Sequence, residues 1–255
     1  VRGQGTVGLE IMEQMPDVDN IVVCLGGGGL AAGVALAAKL KAKEMGRKIK
    51  VYAVQASEAA AYPASLKAGR PVEVKINPTI ADGIAVAKPG KVPFEIIKSH
   101  VDRVVTVTED EIAKAMLGVM ERSKLVVEAG GAVGAAALAA KKLKLKGKTA
   151  VILSGGNIDP LLLQRVIRHG LAASDRYTNI AVMLPDRPGQ LVRTAQAVAS
   201  AHANVVEVLH TRHGNGLEIS EVELDLSVET RGKAHRDEVI ESLKKAGLKP
   251  RLFEN

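Results

Sequence analysis

Residues 20–41, NIVVCLGGGGLAAGVALAAKLK, set four consecutive glycines between a β-branched apolar run and an alanine-rich run of helical character. Glycine weakens strands and helices alike, so four together mark a backbone that bends sharply or that something approaches closely. A strand, a glycine turn and a helix start also make an anion site, because backbone amides and the positive end of the helix dipole point the same way. A Walker A loop is excluded, since no Lys followed by Ser or Thr comes after the glycines. A dinucleotide fingerprint fits the spacing at Gly26, Gly28 and Ala31, but the next strand ends at Gln55, where a ribose-binding acid belongs. That weakens a nicotinamide-dependent oxidoreductase. Two options stay open: amides wrapped round one compact phosphate monoester, each bond contributing roughly 1.5–3 kcal/mol, or a tight turn that only lets helix and sheet pack closely.

Working outward, the short β-branched runs NIVVCL, KVYAV, DRVVTV and TAVILS are mostly followed by helical patterns. That alternation predicts a mostly parallel sheet flanked by helices. Thr108 and Glu111 have capping-box spacing, and Ile112, Met116, Leu117 and Met120 then recur on one helix face, a core stripe. GAVGAAALAAKKLKLKG and PLLLQRVIRHGLAA read as further helices, the second begun by Pro160. Near residues 170–177 the grammar changes. Residues 178–255 read strand, helix, two strands joined at His213-Gly214-Asn215-Gly216, helix and strand, a ferredoxin-like βαββαβ order. Val222, Leu224, Leu226 and Val228 alternate there with Glu223, Asp225, Ser227 and Glu229, so one sheet face is wet. The expected domains are 1–174 and 178–255.

The 255 residues carry a net charge of +7, but residues 178–255 hold 10 Lys+Arg against 11 Asp+Glu, leaving 25 against 17 for the rest. With 2% aromatic residues there is no stacking platform for nucleic acid, and the lysine clusters read as solvated helix ends. No apolar run is long enough to span a bilayer, and no leader-like start is present. Cys24 is the only cysteine, which excludes an internal disulfide and a multi-cysteine metal site. His210 and His213 lack a third ligand for zinc. The expectation is a soluble, cytoplasmic protein with no nucleic-acid or membrane partner.

Other glycine turns bring polar groups to loops: ADGIAV with Asp82, VEAGGAVGAAAL with Glu128, and LSGGN with Ser154 and Asn157, the last read as a helix cap. Such turns converge at strand ends in open α/β sheets. GQGTVGLEI, GGGGLAAG, PTIADGIAV, VEAGGAVGAAAL and ILSGGNID, in this order over residues 1 to about 172, resemble the threonine ammonia-lyase (threonine dehydratase) family. Its members are pyridoxal 5'-phosphate enzymes of the tryptophan-synthase-β fold type. Residues 178–255, with LPDRPGQL after the first strand, resemble an ACT domain, a small amino-acid-sensing regulatory module.

The resemblance implies a set of roles. Amides of Gly26, Gly27, Gly28, Gly29 and Leu30 would hold the cofactor phosphate, Ser154 would hydrogen-bond the pyridine nitrogen, and Gly83 would leave room beside the ring. It implies L-threonine, with L-serine as a second substrate, converted by β-elimination to a 2-oxo acid. It implies isoleucine or valine as effector at Asp186, Pro188 and Gly189, with Asn204 opposite, in a homo-oligomer, dimer or tetramer. Two departures stand out. Positions that carry a divalent cation in some relatives hold Gln55, Ala59 and Ala61, so no metal site is expected. The family's Schiff-base lysine lies in a motif of the type S-F-K-x-R-G, which is missing; SLKAGR around Lys67 imitates it in an ordinary surface turn. The expectation is therefore an N-terminally truncated chain, inactive alone.

Overall fold

The computed structural model describes residues 1–212 and 218–253. The chain forms two compact units, Val1–Ile167 and Arg168–Asn255. The first contains α1 (Gly5–Gln14), β1 (Asn20–Cys24), α2 (Gly29–Glu44), β2 (Lys50–Ala56), α3 (Ala61–Ala68), α4 (Lys91–His100), β3 (Arg103–Val107), α5 (Glu109–Ser123), α6 (Ala129–Ala139) and β4 (Thr149–Val151). α7 (Pro160–Ala173) follows, and the division between the units falls within it.

The strands of the first unit pair in the order β3-β2-β1-β4, every neighbour parallel. β1 is covered on both faces and all five of its residues are buried, which is why it reads as a continuous apolar run. Its alternate side chains enter separate cores. Ile21, Val23 and Leu25 join Ala31, Val34, Phe94 and Ile97 on one face, while Val22 and Cys24 join Ile112, Met116, Val133 and Ala136 on the other. The Thr108–Glu111 capping box is formed in full, and Ile112, Met116 and Leu117 are buried. α7 is capped by Asp159, whose Oδ1 accepts from the amides of Leu161 and Leu162, and Asn157 does not cap it. Asp159 stands immediately before Pro160, where its carboxylate reaches the orphan amides of the first turn.

The second unit contains β5 (Tyr177–Pro185), α8 (Gln190–Ser200), β6 (Asn204–Thr211), β7 (Glu221–Glu229), α9 (Lys233–Lys245) and β8 (Lys249–Leu252). Its sheet is antiparallel in the order β6-β7-β5-β8, the arrangement of a split βαβ module. Val222, Leu224, Leu226 and Val228 are buried against Val198, Val239 and Leu243, and the alternating polar residues of β7 face away from that core. The turn expected at His213–Gly216 lies outside the described residues, and so does His213 of the two-histidine pair.

Candidate active site

The glycine run leaves β1 and enters α2 with Gly28 as N-cap at φ +96°. Gly28 is held there by its neighbours: a Cβ at this position would lie 1.9 Å from the Tyr62 hydroxyl oxygen and 2.9 Å from Pro93 Cβ. Among the described residues, the amides of Gly26, Gly27, Gly28, Gly29 and Leu30 donate to no backbone carbonyl. The first turn of a helix leaves such donors unpaired, and here the preceding loop adds its own. The opposite side of the run is covered by the segment around the 3-10 turn Asp82–Ile84, with Ile84 Cα 3.0 Å from where a Gly26 Cβ would sit.

A polar group forms at the C-terminal ends of β1 and β4. The amide of Ile152 donates to the Val22 carbonyl at 3.0 Å and continues the pairing beyond β4. Ser154 Oγ thereby comes to 3.2 Å from Cys24 Sγ. Glu128, the N-cap of α6, donates its amide to the Gly155 carbonyl at 3.1 Å. Its Oε1 stands 3.6 Å from where a Gly83 Cβ would sit, so Gly83 shares this corner. Burial pushes the Cys24 thiol above its ordinary range, Ser154 opposes the shift by hydrogen bonding, and the Glu128 charge adds to it.

Other sequence candidates fall outside this corner or serve it indirectly. Asp82 is exposed and its carboxylate accepts from its neighbour Gly83 at 2.7 Å, a local turn. Lys67 is exposed in the last turn of α3. Gln55 is fully buried: its Oε1 accepts from the Tyr62 amide at 2.9 Å and its Nε2 donates to the Ala59 carbonyl at 3.3 Å. An amide committed at both ends cannot reach a ribose, which removes the remaining support for a dinucleotide at this turn. Sequence reasoning missed Tyr62 and the pairing of Cys24 with Ser154. Neither carries a local signal, because Tyr62 lies 35 positions from its Gly27 partner and Cys24 lies 130 from Ser154.

Buried acids that stay protonated longer in the fold than in the unfolded chain make stability fall at high pH. The Tyr62 phenol, like the Cys24 thiol, is pushed upward by burial. Both contributions are complete below the unfolded values of 9.0 and 10.0, and the folded state loses ground as the pH rises beyond them. Urea midpoints measured from pH 8 to 11 are expected to decline, because the unfolding free energy falls by up to about 1.4 kcal/mol per pH unit for each group above its unfolded value.

In the second unit, the loop from β5 to α8 closes over a cavity of about 340 Å³. Asp186, Pro188 and Gly189 line it, together with Gln190, His210 and Arg212. Asp186 is paired with Arg212 at 3.3 Å, and Gly189 caps α8 at φ +86°. Among the described residues, Gln190 Oε1 is buried without a hydrogen-bond partner. Asn204 is not part of this cavity; it lies at the start of β6, where its Nδ2 donates to Glu229 at 3.3 Å. Among the described residues, no helix is long and apolar enough to cross a membrane.

The model of a family described as pyridoxal-phosphate dependent enzyme matches residues 1–155. An L-threonine ammonia-lyase of Geobacter sulfurreducens is 44% identical over 246 residues, 96% of this chain and 60% of that protein. The chain thus spans about three fifths of that relative's length. Among solved structures, the processed threonine deaminase isoform 2 of Solanum lycopersicum matches with TM-score 0.59 and 34% identity, over 66% of this chain and 48% of that one. A maize serine racemase matches with TM-score 0.58 and 35% identity, over 67% of this chain and 52% of its own.

Proposed function

The chain belongs to the family of pyridoxal-phosphate dependent enzymes, and from that premise we propose that the whole protein deaminates L-threonine to 2-oxobutanoate, with L-serine as a second substrate. The observation that carries this reading is the meeting of two groups on neighbouring strands. Five unpaired amides from Gly26 to Leu30 follow β1, and a neutral hydroxyl, Ser154, follows β4. The amides suit a phosphate dianion and the hydroxyl suits a pyridine nitrogen, so the residues present fit pyridoxal 5'-phosphate.

When bound, the cofactor supplies an electron sink for the pair left at the substrate's α-carbon. Ser154 keeps its proton on Oγ and lends it to the ring nitrogen as a hydrogen bond. A carboxylate in that place would hold the nitrogen protonated and deepen the sink. The milder arrangement suits loss of a β-hydroxyl, which relieves the developing charge at once. Gly83 leaves room beside the ring, and the Glu128 carboxylate closes the corner. The lysine that the family uses as base has no counterpart in these residues. Residues 1–174 would thus supply the cofactor cradle.

The matched threonine deaminase and serine racemase structures each cover about two thirds of this chain, so these matches do not separate elimination from racemisation. The Geobacter match spans 96% of the chain, which favours elimination. The whole protein as its gene encodes it is expected to form 2-oxobutanoate from L-threonine and no D-serine from L-serine. D-serine without 2-oxobutanoate would overturn the assignment. No turnover of either amino acid, with isoleucine still bound, would favour a non-catalytic amino-acid-binding module.

Residues 178–255 we read as an ACT regulatory domain whose effector is isoleucine, with valine next. The cavity beside Asp186, Pro188 and Gly189 supports this, because an unpartnered buried oxygen on Gln190 costs about 1–3 kcal/mol that a ligand ammonium would recover. Calorimetric titration of isoleucine into the chain is expected to give a saturable heat that Arg212→Ala weakens by about tenfold. No heat from isoleucine or valine would exclude the site. A homo-oligomer, dimer or tetramer, belongs to the same reading, and sedimentation of the whole protein tests it.

A further inference from the structure

We propose that Tyr62 is the positioning residue that selects which way the peptide between Gly27 and Gly28 faces, and thereby gives the glycine run its affinity for a phosphate. The inference rests on the phosphate-cradle reading above and concerns a residue outside the run. In a trans peptide the carbonyl and the amide point in opposite directions. The Gly27 carbonyl is held from behind by two donors, the Tyr62 hydroxyl at 3.2 Å and the Gly90 amide at 3.3 Å. The Gly28 amide is therefore turned away from Tyr62, to the other side of that peptide.

The glycines do not make this choice by themselves. Rotating the whole peptide unit changes ψ of Gly27 and φ of Gly28 together, and a residue without Cβ accepts positive and negative φ about equally. The rotated peptide would aim a carbonyl oxygen at the anion in place of an amide. A hydroxyl on the Gly27 carbonyl side biases the pair toward the binding orientation before any ligand arrives.

Tyr62 is well placed to do this. Its side chain is fully buried, its ring lies 6.3 Å from that of Phe94, and its own amide is held at 2.9 Å by the buried Gln55. Gln55 and Tyr62 thus form a bracket between the end of β2 and the glycine run.

The test compares two ligands that differ only in the phosphate: pyridoxine 5'-phosphate and pyridoxine, neither of which has an aldehyde to react with surface lysines. Their affinities for the 255-residue chain are measured by calorimetry for the wild type, Tyr62→Phe and Phe94→Leu. Tyr62→Phe is expected to weaken the phosphorylated ligand by about fivefold to tenfold, the scale of one hydrogen bond, and to leave pyridoxine within about twofold. Phe94→Leu, which loosens the same packing but keeps the hydroxyl, is expected to preserve the preference for the phosphate.

Equal loss in both variants would mean general loosening and would overturn the role of Tyr62. An undiminished preference in Tyr62→Phe would overturn it as well. A wild type with no preference for the phosphorylated ligand would sink the cradle reading itself and the inference with it. If Tyr62→Phe does not fold, the Gly28 amide resonance of the wild type decides. A downfield shift on titration with inorganic phosphate supports the orientation, and no shift refutes it.

Discussion

Gly28→Val is expected to weaken pyridoxal 5'-phosphate by at least about 100-fold and to lower the melting temperature by roughly 10 °C. Two causes act together. A φ of +96° is a left-handed conformation that costs an L-residue about 1–2 kcal/mol, and a β-branched side chain suffers most. The new Cβ would also sit 1.9 Å from the Tyr62 hydroxyl and 3.0 Å from Ile97, inside a packed core where forced volume costs about 1–3 kcal/mol. The backbone must move, and the amides of the run move with it. Losing two charge-assisted bonds of about 1.5 kcal/mol each gives the affinity figure. Gly29→Ala is the control. Gly29 is the first residue of α2, nothing lies within 4 Å of its Cβ position, and alanine favours a helix. Its melting temperature is expected to equal or exceed the wild-type value. A Gly28→Val protein as stable as Gly29→Ala would show that the turn is not under this constraint.

Gly131→Ala should be about as damaging, for a different reason. Gly131 lies inside α6 with ordinary helical geometry, so no backbone strain arises. Its Cβ would fall 1.8 Å from the Ser154 carbonyl oxygen and 2.7 Å from the carbonyl carbon. Backbone cannot swing aside as a long side chain can, so α6 and the segment after β4 must part. We expect a loss of about 2–3 kcal/mol in urea unfolding, within the range for forced overpacking. The displacement also carries the Ser154 hydroxyl away from Cys24. Pyridoxine 5'-phosphate affinity should therefore fall in Gly131→Ala by more than stability alone explains. Gly118→Ala in α5, where nothing lies within 4 Å, is the comparison. Unchanged ligand affinity in Gly131→Ala would show that Ser154 does not contact the ring.

Much of the architecture is legible in the chain because local chemistry and burial agree. NIVVC is wholly buried, KVYAVQA is buried over most of its length and RVVTV at Val105 and Val107, and each becomes a strand of the parallel sheet. Thr108 and Glu111 start a helix with groups that lie three residues apart. The alternation in β7 marks a half-buried antiparallel strand. Local competition is harder to read. Asn157 and Asp159 both suit a cap, and which one works depends on where the helix axis begins, which here is at Pro160.

From sequence alone came the glycine turn between a strand and a helix, Ser154 after a strand, the alternation of strands and helices, and the change of grammar before residue 178. These are local, because composition and spacing over a few residues control backbone conformation. Only the tertiary structure decided which distant groups meet. Parallel pairing of β1 with β4 puts Cys24 beside Ser154, the close approach of α6 puts Glu128 there too, and the packing of α3 sets Tyr62 behind Gly27. Such contacts depend on strand order and on the volume of side chains far apart in the chain. Four glycines can face their peptides either way, and the surrounding core chooses one.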